Sequence, residues 1–190
     1  MGRSKNTAQR RAQIVDALLT VMSSSGYAGA SIQSIARAAE LSPGLIHYHF
    51  GSKQEILLAL LATLYERLAE RYSQRAASVD TPWEAVEAWI DAHLSFGPDA
   101  DPRAVACWVQ IGAEALRQPD VRDAYRALIE ADVSTLSTAL ARAGVEDADM
   151  AAAGMMSAVQ GAYQLSLTAP GAIPPGQAAA VVRRMAAVFR

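Results

Sequence analysis

The stretch SIQSIARAAELSPGLIHYHFGSK, residues 31–53, decides how this chain is read, because it spells two short helices and the tight turn between them. Ile32, Ile35, Ala36 and Ala39 set small apolar groups along one face of a helix beginning near Ser31. Ser42 then suits an N-cap and Pro43 the first helical position, where a missing N–H loses no bond. A second short helix presents Leu45, His47, Tyr48 and His49. Ser52 and Glu55 follow at capping-box spacing and open a long helix. Two helices packed through small residues across a four-residue turn make a helix-turn-helix, whose second helix belongs in the major groove of DNA.

The pattern Ser42, Gly44, Ile46, Tyr48, His49, Phe50, Ser52 and Lys53 resembles the TetR family of bacterial regulators. In detail the resemblance runs from about Ala8 to Leu60. Beyond that it persists as a plan, an all-helical remainder of suitable length. One position departs from the family pattern: members usually carry tyrosine, often on a DNA phosphate, where this chain has His47. Imidazole also donates to phosphate, so binding survives the change but becomes pH-sensitive. The segment of Trp108, Glu114, Ala115, Arg117 and Pro119 is similar to the BetI-type branch of C-terminal domains.

Composition agrees with a folded protein that touches DNA at one end. The 190 residues are 52% hydrophobic and 19% charged, enough for a substantial core. Net charge is only −2, but its distribution is uneven. Residues 1–53 hold Arg3, Lys5, Arg10, Arg11, Arg37 and Lys53 against Asp16 and Glu40, for +4. The rest holds eleven arginines against seventeen acids, for −6. A cationic head on an anionic body is the layout of a module that puts one end on nucleic acid.

The remainder reads as helices throughout, giving an all-α chain of about nine. Ile14, Val15, Leu18, Leu19 and Met22 recur at helical spacing until Ser-Ser-Ser-Gly26. Ile56, Leu60, Leu64 and Leu68 stripe a long helix from Lys53 to about Arg75, with Leu57, Leu61 and Tyr65 beside them. Thr81–Pro82–Trp83–Glu84 is a second capping box, and Gly97–Pro98 ends its helix. Asp101–Pro102 starts a sixth helix ending near Pro119. A seventh runs from about Asp120 to Ala143 with Gly144 at its cap. From Met150 to Val182 no residue is charged. Gln160, Gln164, Ser157 and Ser166 argue against a membrane span there. The better reading is one long helix ending near Ala169, buried on most sides. After the breaker Pro170–Gly171…Pro174–Pro175–Gly176 comes a last helix carrying Val181, Val182, Met185 and Phe189. The resemblance implies that these last two helices pair with their copies in a homodimer. Gly154, Ala158, Gly161 and Ala162 would let the backbones approach.

Enzymatic chemistry finds little footing. His47 and His49 lie two residues apart, about 200° around a helix, and cannot share a metal. Neither a phosphate loop nor a cysteine pair nor a nucleophile elbow is present, and Asp99 and Asp101 read as a helix cap. No catalytic residue, metal or cofactor is expected. Cys107, the single cysteine, reads as a buried inert thiol and suits a reducing cytosol, while the N-terminus shows no export signal.

The expectation is therefore a helix-turn-helix DNA-binding domain over residues 1–52 and a helical effector-binding and dimerisation domain over 53–190. Pro43, Leu45 and His47 are the candidates for base contact, Leu45 against a thymine methyl. Ser31, Tyr48, His49 and Lys53 are candidates for phosphate, with Ser42 and Gly44 beside them on the same surface and Arg10 and Arg11 adding unspecific attraction. Ile35, Ile46 and Phe50 fix the angle between the helices. Trp89, His93, Phe96, Trp108, Tyr125, Asp132, Gln160 and Tyr163 would line an effector pocket, an assignment that the resemblance implies more than the residues do. The implied function is that of a cytoplasmic repressor released from a palindromic operator by a small molecule. Two other classes remain open. One is a small enzyme that imitates the motif, which would need a catalytic constellation. The other is an antitoxin-like or protein-interaction module whose body binds a protein.

Overall fold

The computed structural model describes residues 2–95, 101–174 and 176–189, with side chains from residue 6 onward. Nine helices and no strand occur among them: α1 (Gly2–Gly29), α2 (Ile32–Ala38), α3 (Pro43–His49), α4 (Lys53–Ala76), α5 (Pro82–Leu94), α6 (Pro102–Ala115), α7 (Pro119–Arg142), α8 (Ala148–Thr168) and α9 (Gln177–Val188). No helix of the described residues is long and apolar enough to cross a membrane. The chain forms two compact units, Met1–Leu64 with Asp101–Tyr125, and Tyr65–Ala100 with Arg126–Arg190.

In the first unit α1 packs against α2, α3 and α6. Ile14, Leu18, Leu19 and Met22 are fully buried, as are Ile35, Ile46, Ile56, Leu57 and Leu60 facing them. Each such side chain contributes about 1.5–3 kcal/mol by leaving water. α1 does not simply stop at the serines. Its backbone breaks at Gly26 (φ 73°, ψ 165°), and a last turn follows to Gly29. Cys107 lies in this core with its thiol on the Leu19 carbonyl at 3.5 Å, and burial pushes its pKa up to about 12.

Helix ends follow the caps written in the sequence. Ser31, Ser42 and Thr81 accept from the backbone N–H three residues on, and the Thr81–Glu84 box closes on both sides. Asp101 caps α6 through the Arg103 N–H at 3.0 Å. The expected Ser52–Glu55 box is split: Ser52 accepts from Glu55, but the Glu55 carboxylate reaches back to the Gly51 N–H at 2.8 Å. α6 ends at Ala115, earlier than expected, because Pro119 opens α7 instead of closing α6. Gly144 (φ 87°) terminates α7 with the paired bonds Gly144 to Ala141 and Val145 to Leu140, the left-handed closure that favours glycine.

In the second unit Val86, Trp89, Ile90, Leu136, Leu140, Met155, Met156, Val159 and Val182 make one core, and α9 packs on α8 and α5. Arg183 reinforces the α5–α9 contact by pairing with Asp91, which also accepts from Ser95 at 2.5 Å.

Candidate nucleic-acid interface and buried polar cluster

The turn between α2 and α3 is closed from within. Leu41 donates to the Ala36 carbonyl at 2.9 Å and Glu40 to Arg37 at 3.2 Å. This loop needs a left-handed residue, and Glu40 takes it at φ 53°. Gln13 of α1 holds the turn by donating to the Ala39 carbonyl at 2.7 Å, and is itself oriented by Arg10. Ile46 and Phe50 point inward with Ile35, as expected of the residues that set the interhelix angle.

The opposite face of α3 is bare. Ser42, Pro43, Gly44 and His47 are exposed, and Tyr48 is 72% exposed. Leu45 and His49 are half-buried, and the Tyr48 and His49 rings meet edge to face with centroids 5.1 Å apart. Ser31 is exposed at the start of α2, where it exchanges bonds with Ser34. Lys53 is different. Its ammonium donates to the Tyr27 and Ala30 carbonyls, both at 2.9 Å, and stands 4.0 Å from the Tyr27 ring centroid. Arg11, expected only as unspecific charge, bonds the His49 carbonyl and lies 3.9 Å over the Phe50 ring. Neither contact was legible locally, since the partners stand 23 to 38 residues away.

The expected effector residues divide between the two units. Trp89, His93, Asp132 and Tyr163 come together in the second. Asp132 accepts from the Trp89 indole at 2.7 Å and from His93 Nε2 at 2.8 Å. His93 Nδ1 faces the Trp89 carbonyl at 2.9 Å, and Tyr163 donates to the His93 carbonyl at 3.0 Å. The Trp89 and His93 rings lie 3.9 Å apart. Gln160 turns to Met156 Sδ at 3.5 Å. Trp108 and Tyr125 sit in the first unit, their rings tilted against each other with centroids 4.9 Å apart, and burial pushes the Tyr125 hydroxyl up to about 12. Phe96 lies outside the described residues, as do Gly97–Pro98 and Asp99. Sequence reading missed Tyr65 and Tyr72 of α4. Burial raises both phenols, and Asp132 adds a smaller push in the same direction. Helical spacing put Tyr65 beside a core stripe, and singled out neither Tyr72 nor the acid near both. It also missed a cleft of about 480 Å³ in this unit, lined by Tyr72, Val79, Thr81, Thr138 and Arg142 among others. Among the described residues no group of three metal-ligating side chains occurs.

Both the sequence and the fold have known counterparts. The sequence model of bacterial regulatory proteins, tetR family, matches residues 14–60, and that of the BetI-type transcriptional repressor C-terminal domain matches residues 82–189. The chain belongs to the TetR family. Within it, the HTH-type transcriptional regulator BetI of Rhizobium meliloti (strain 1021) is 33% identical over 156 residues, 81% of this chain and 76% of that protein. Two solved structures share the fold. A transcriptional regulator from Rhodococcus sp. Rha1 superposes with a TM-score of 0.83 at 24% identity, over 94% of this chain and 95% of its own. A regulator from Saccharomonospora viridis in complex with choline gives 0.83 at 22%, over 93% and 95%. The TetR assignment makes this chain a DNA-binding transcriptional regulator of a non-enzymatic class.

Proposed function

We propose that the chain acts in the cytoplasm as a homodimeric repressor that reads a roughly palindromic operator with α3 and leaves it when a small organic cation binds near Asp132. The observation that carries this reading is the bare face of α3, where Pro43, Gly44, His47 and Tyr48 are exposed while Ile46 of the same helix and Phe50 at its C-cap are buried. Pro43, Leu45 and His47 contact base edges, and Ser31, Ser42, Gly44, Tyr48 and His49 the sugar–phosphate backbone. The apolar and small residues exposed on α8 and α9 form the dimer contact, which sets two reading helices about one DNA turn, ~34 Å, apart.

The effector class follows from the second unit. Asp132, 9% exposed, bonded by an indole and an imidazole and lying near Tyr65 and Tyr72, suits a cation with apolar substituents held by charge and ring faces. The choline complex of the Saccharomonospora viridis regulator supports that class. Release requires that the cation prefer a conformation with lower operator affinity, at a coupling of about 1–3 kcal/mol. α4 and α7 are the helices available to carry it, because each contributes residues to both units.

Enrichment of duplexes from a random pool should yield a two-fold symmetric site. Choline should bind the purified protein in a calorimetric titration and weaken operator binding by about tenfold or more. Asp132→Asn should remove the choline response. Failure to enrich any duplex would refute operator reading, whereas an operator affinity indifferent to bound choline would refute the release mechanism alone.

A further inference from the structure

The cleft of about 480 Å³ in the second unit opens between the last turns of α4, the start of α5 and the end of α7. Three side chains of its wall keep donors that make no hydrogen bond among the described residues: the Tyr72 phenol, the Ser134 hydroxyl and the Arg142 guanidinium. Thr135 and Thr138, by contrast, give their protons to the Ala131 and Ser134 carbonyls, at 2.9 and 2.8 Å. A guanidinium presents its N–H groups in a fixed fork that matches the two oxygens of a carboxylate.

The cleft continues the polar cluster around Asp132. On α7, Asp132, Thr135, Ala139 and Arg142 follow at steps of three, four and three, which is one face of a helix. On α5, Pro82, Ala85 and Trp89 do the same. In each row the cluster takes one end, Asp132 or Trp89, and the cleft takes the rest. Tyr72 belongs to both. It lines the cleft, and its phenol, raised chiefly by burial, is lowered by Arg142 and pushed the other way by Asp132. Two opposite charges thus mark the ends of one surface. Asp132 and Arg142 are ten residues apart, about 15 Å of helix axis. Helical side chains lean toward the N-terminus, which brings the Arg142 side of that gap closer to Asp132.

We propose that the cleft is the second half of the effector site, and that the effector is a zwitterion with its cation near Asp132 and a carboxylate on Arg142, Tyr72 and Ser134. The proposal rests on the reading of Asp132 as the cation site given above. A cation alone fills one end of this surface and leaves the three donors of the cleft to water. Asp80 lines the same cleft, so the carboxylate is selected by the donors that reach it and not by an excess of positive charge.

The test uses the full chain and two series of probes: alkyltrimethylammonium ions of two to eight chain carbons, and the same chains ending in a carboxylate. Added chain length buries more apolar surface in both series, so the informative quantity is the ratio of their affinities at equal length. Calorimetric titration should find the carboxylate probe at least fivefold tighter at an intermediate length, with no advantage at the shortest, which cannot span the surface. Arg142→Met should bring that ratio to one or below, Arg142→Lys should keep part of it, and Asp80→Asn should raise it. A carboxylate that gives no advantage at any length would overturn the proposal and leave the cation site standing. A lower melting temperature for Arg142→Met with an unchanged ratio would mean that Arg142 serves only the negative end of the α7 dipole, and would overturn it too. If neither series binds, the cation reading fails and takes this proposal with it.

Discussion

The head of the first unit and the α8–α9 face of the second treat their surfaces in opposite ways. In the head, apolar side chains turn inward and helix ends are tied by other parts of the chain: α1 by Lys53, α2 by Gln13, α3 by Arg11. On α8 the exposed face is made of Gly154, Ser157, Gly161 and Leu165, and a Cβ added at either glycine would meet nothing within 4 Å. On α9, Val181 is 51%, Met185 38% and Val188 83% exposed. Contiguous apolar surface of this kind marks an interaction site, while the head is complete within one chain. The difference supports the proposal of different partners for the two surfaces, a duplex for the polar, braced one and a second copy of the chain for the apolar, open one.

The strongest way to break this comparison is Gly161→Glu. Open space around Gly161 means that the single chain accommodates the side chain without a clash. In a two-fold interface the same change buries two like charges near each other, so self-association should weaken by more than about a hundredfold. Sedimentation should show a dimer for wild type and a monomer for the variant, with operator affinity lost as well. A variant that stays dimeric would move the interface elsewhere.

Asp132→Ala comes next and tests the interior of the second unit. It leaves the Trp89 indole and His93 without the carboxylate that both now address, a loss on the order of 3–5 kcal/mol. Urea unfolding should show a correspondingly lower midpoint. A shift below 1 kcal/mol would mean that water reaches the cluster and that Asp132 is not buried in solution.

What could be read ahead of the structure differs between the regions for physical reasons. Ser31, Ser42, Thr81, Asp101 and Gly144 act within four residues of their own position, so type and spacing announce the caps they make. Residues that act across the fold announce nothing. Lys53 has the residue type of a phosphate ligand, and nothing in its type or neighbours announces that it also bonds the Tyr27 and Ala30 carbonyls. The resemblance implies one pocket for the aromatic set, yet Trp108 and Tyr125 pack in the first unit, where α6 lies on α1. Periodicity tells which face of a helix is apolar and not which neighbour covers it. The α8 stripe was visible because an uncharged run leaves no other face for water.

Leu45→Ala sharpens the comparison on the head side. Leu45 is half-buried, so truncation separates its two surfaces. If its exposed part meets a thymine methyl, operator affinity should fall by about 1–3 kcal/mol with random-duplex affinity and salt slope unchanged. If it serves the α2–α3 core instead, the melting temperature falls and both duplexes suffer equally. Fluorescence titrations on the two duplexes, paired with melting curves, distinguish these outcomes.

The smallest expected effect concerns the one strained backbone position in the head. Glu40 holds φ 53° in the turn before α3, a conformation that costs a side-chain-bearing residue about 1–2 kcal/mol. Glycine adopts it freely but gives the unfolded chain more freedom, which offsets about 0.5–1 kcal/mol of the gain. Glu40→Gly should therefore stabilise the chain by roughly 0.5–1 kcal/mol, a rise of about 2 °C in melting temperature. It also removes an exposed acid from the head, so a second variant must separate backbone from charge. Glu40→Ala removes the same charge but keeps a Cβ, and should give no gain in stability. Random-duplex affinity at low salt should rise slightly and equally in both variants, since that effect is purely electrostatic. Equal stabilisation by glycine and alanine would assign the gain to charge, and would show that the turn is not strained.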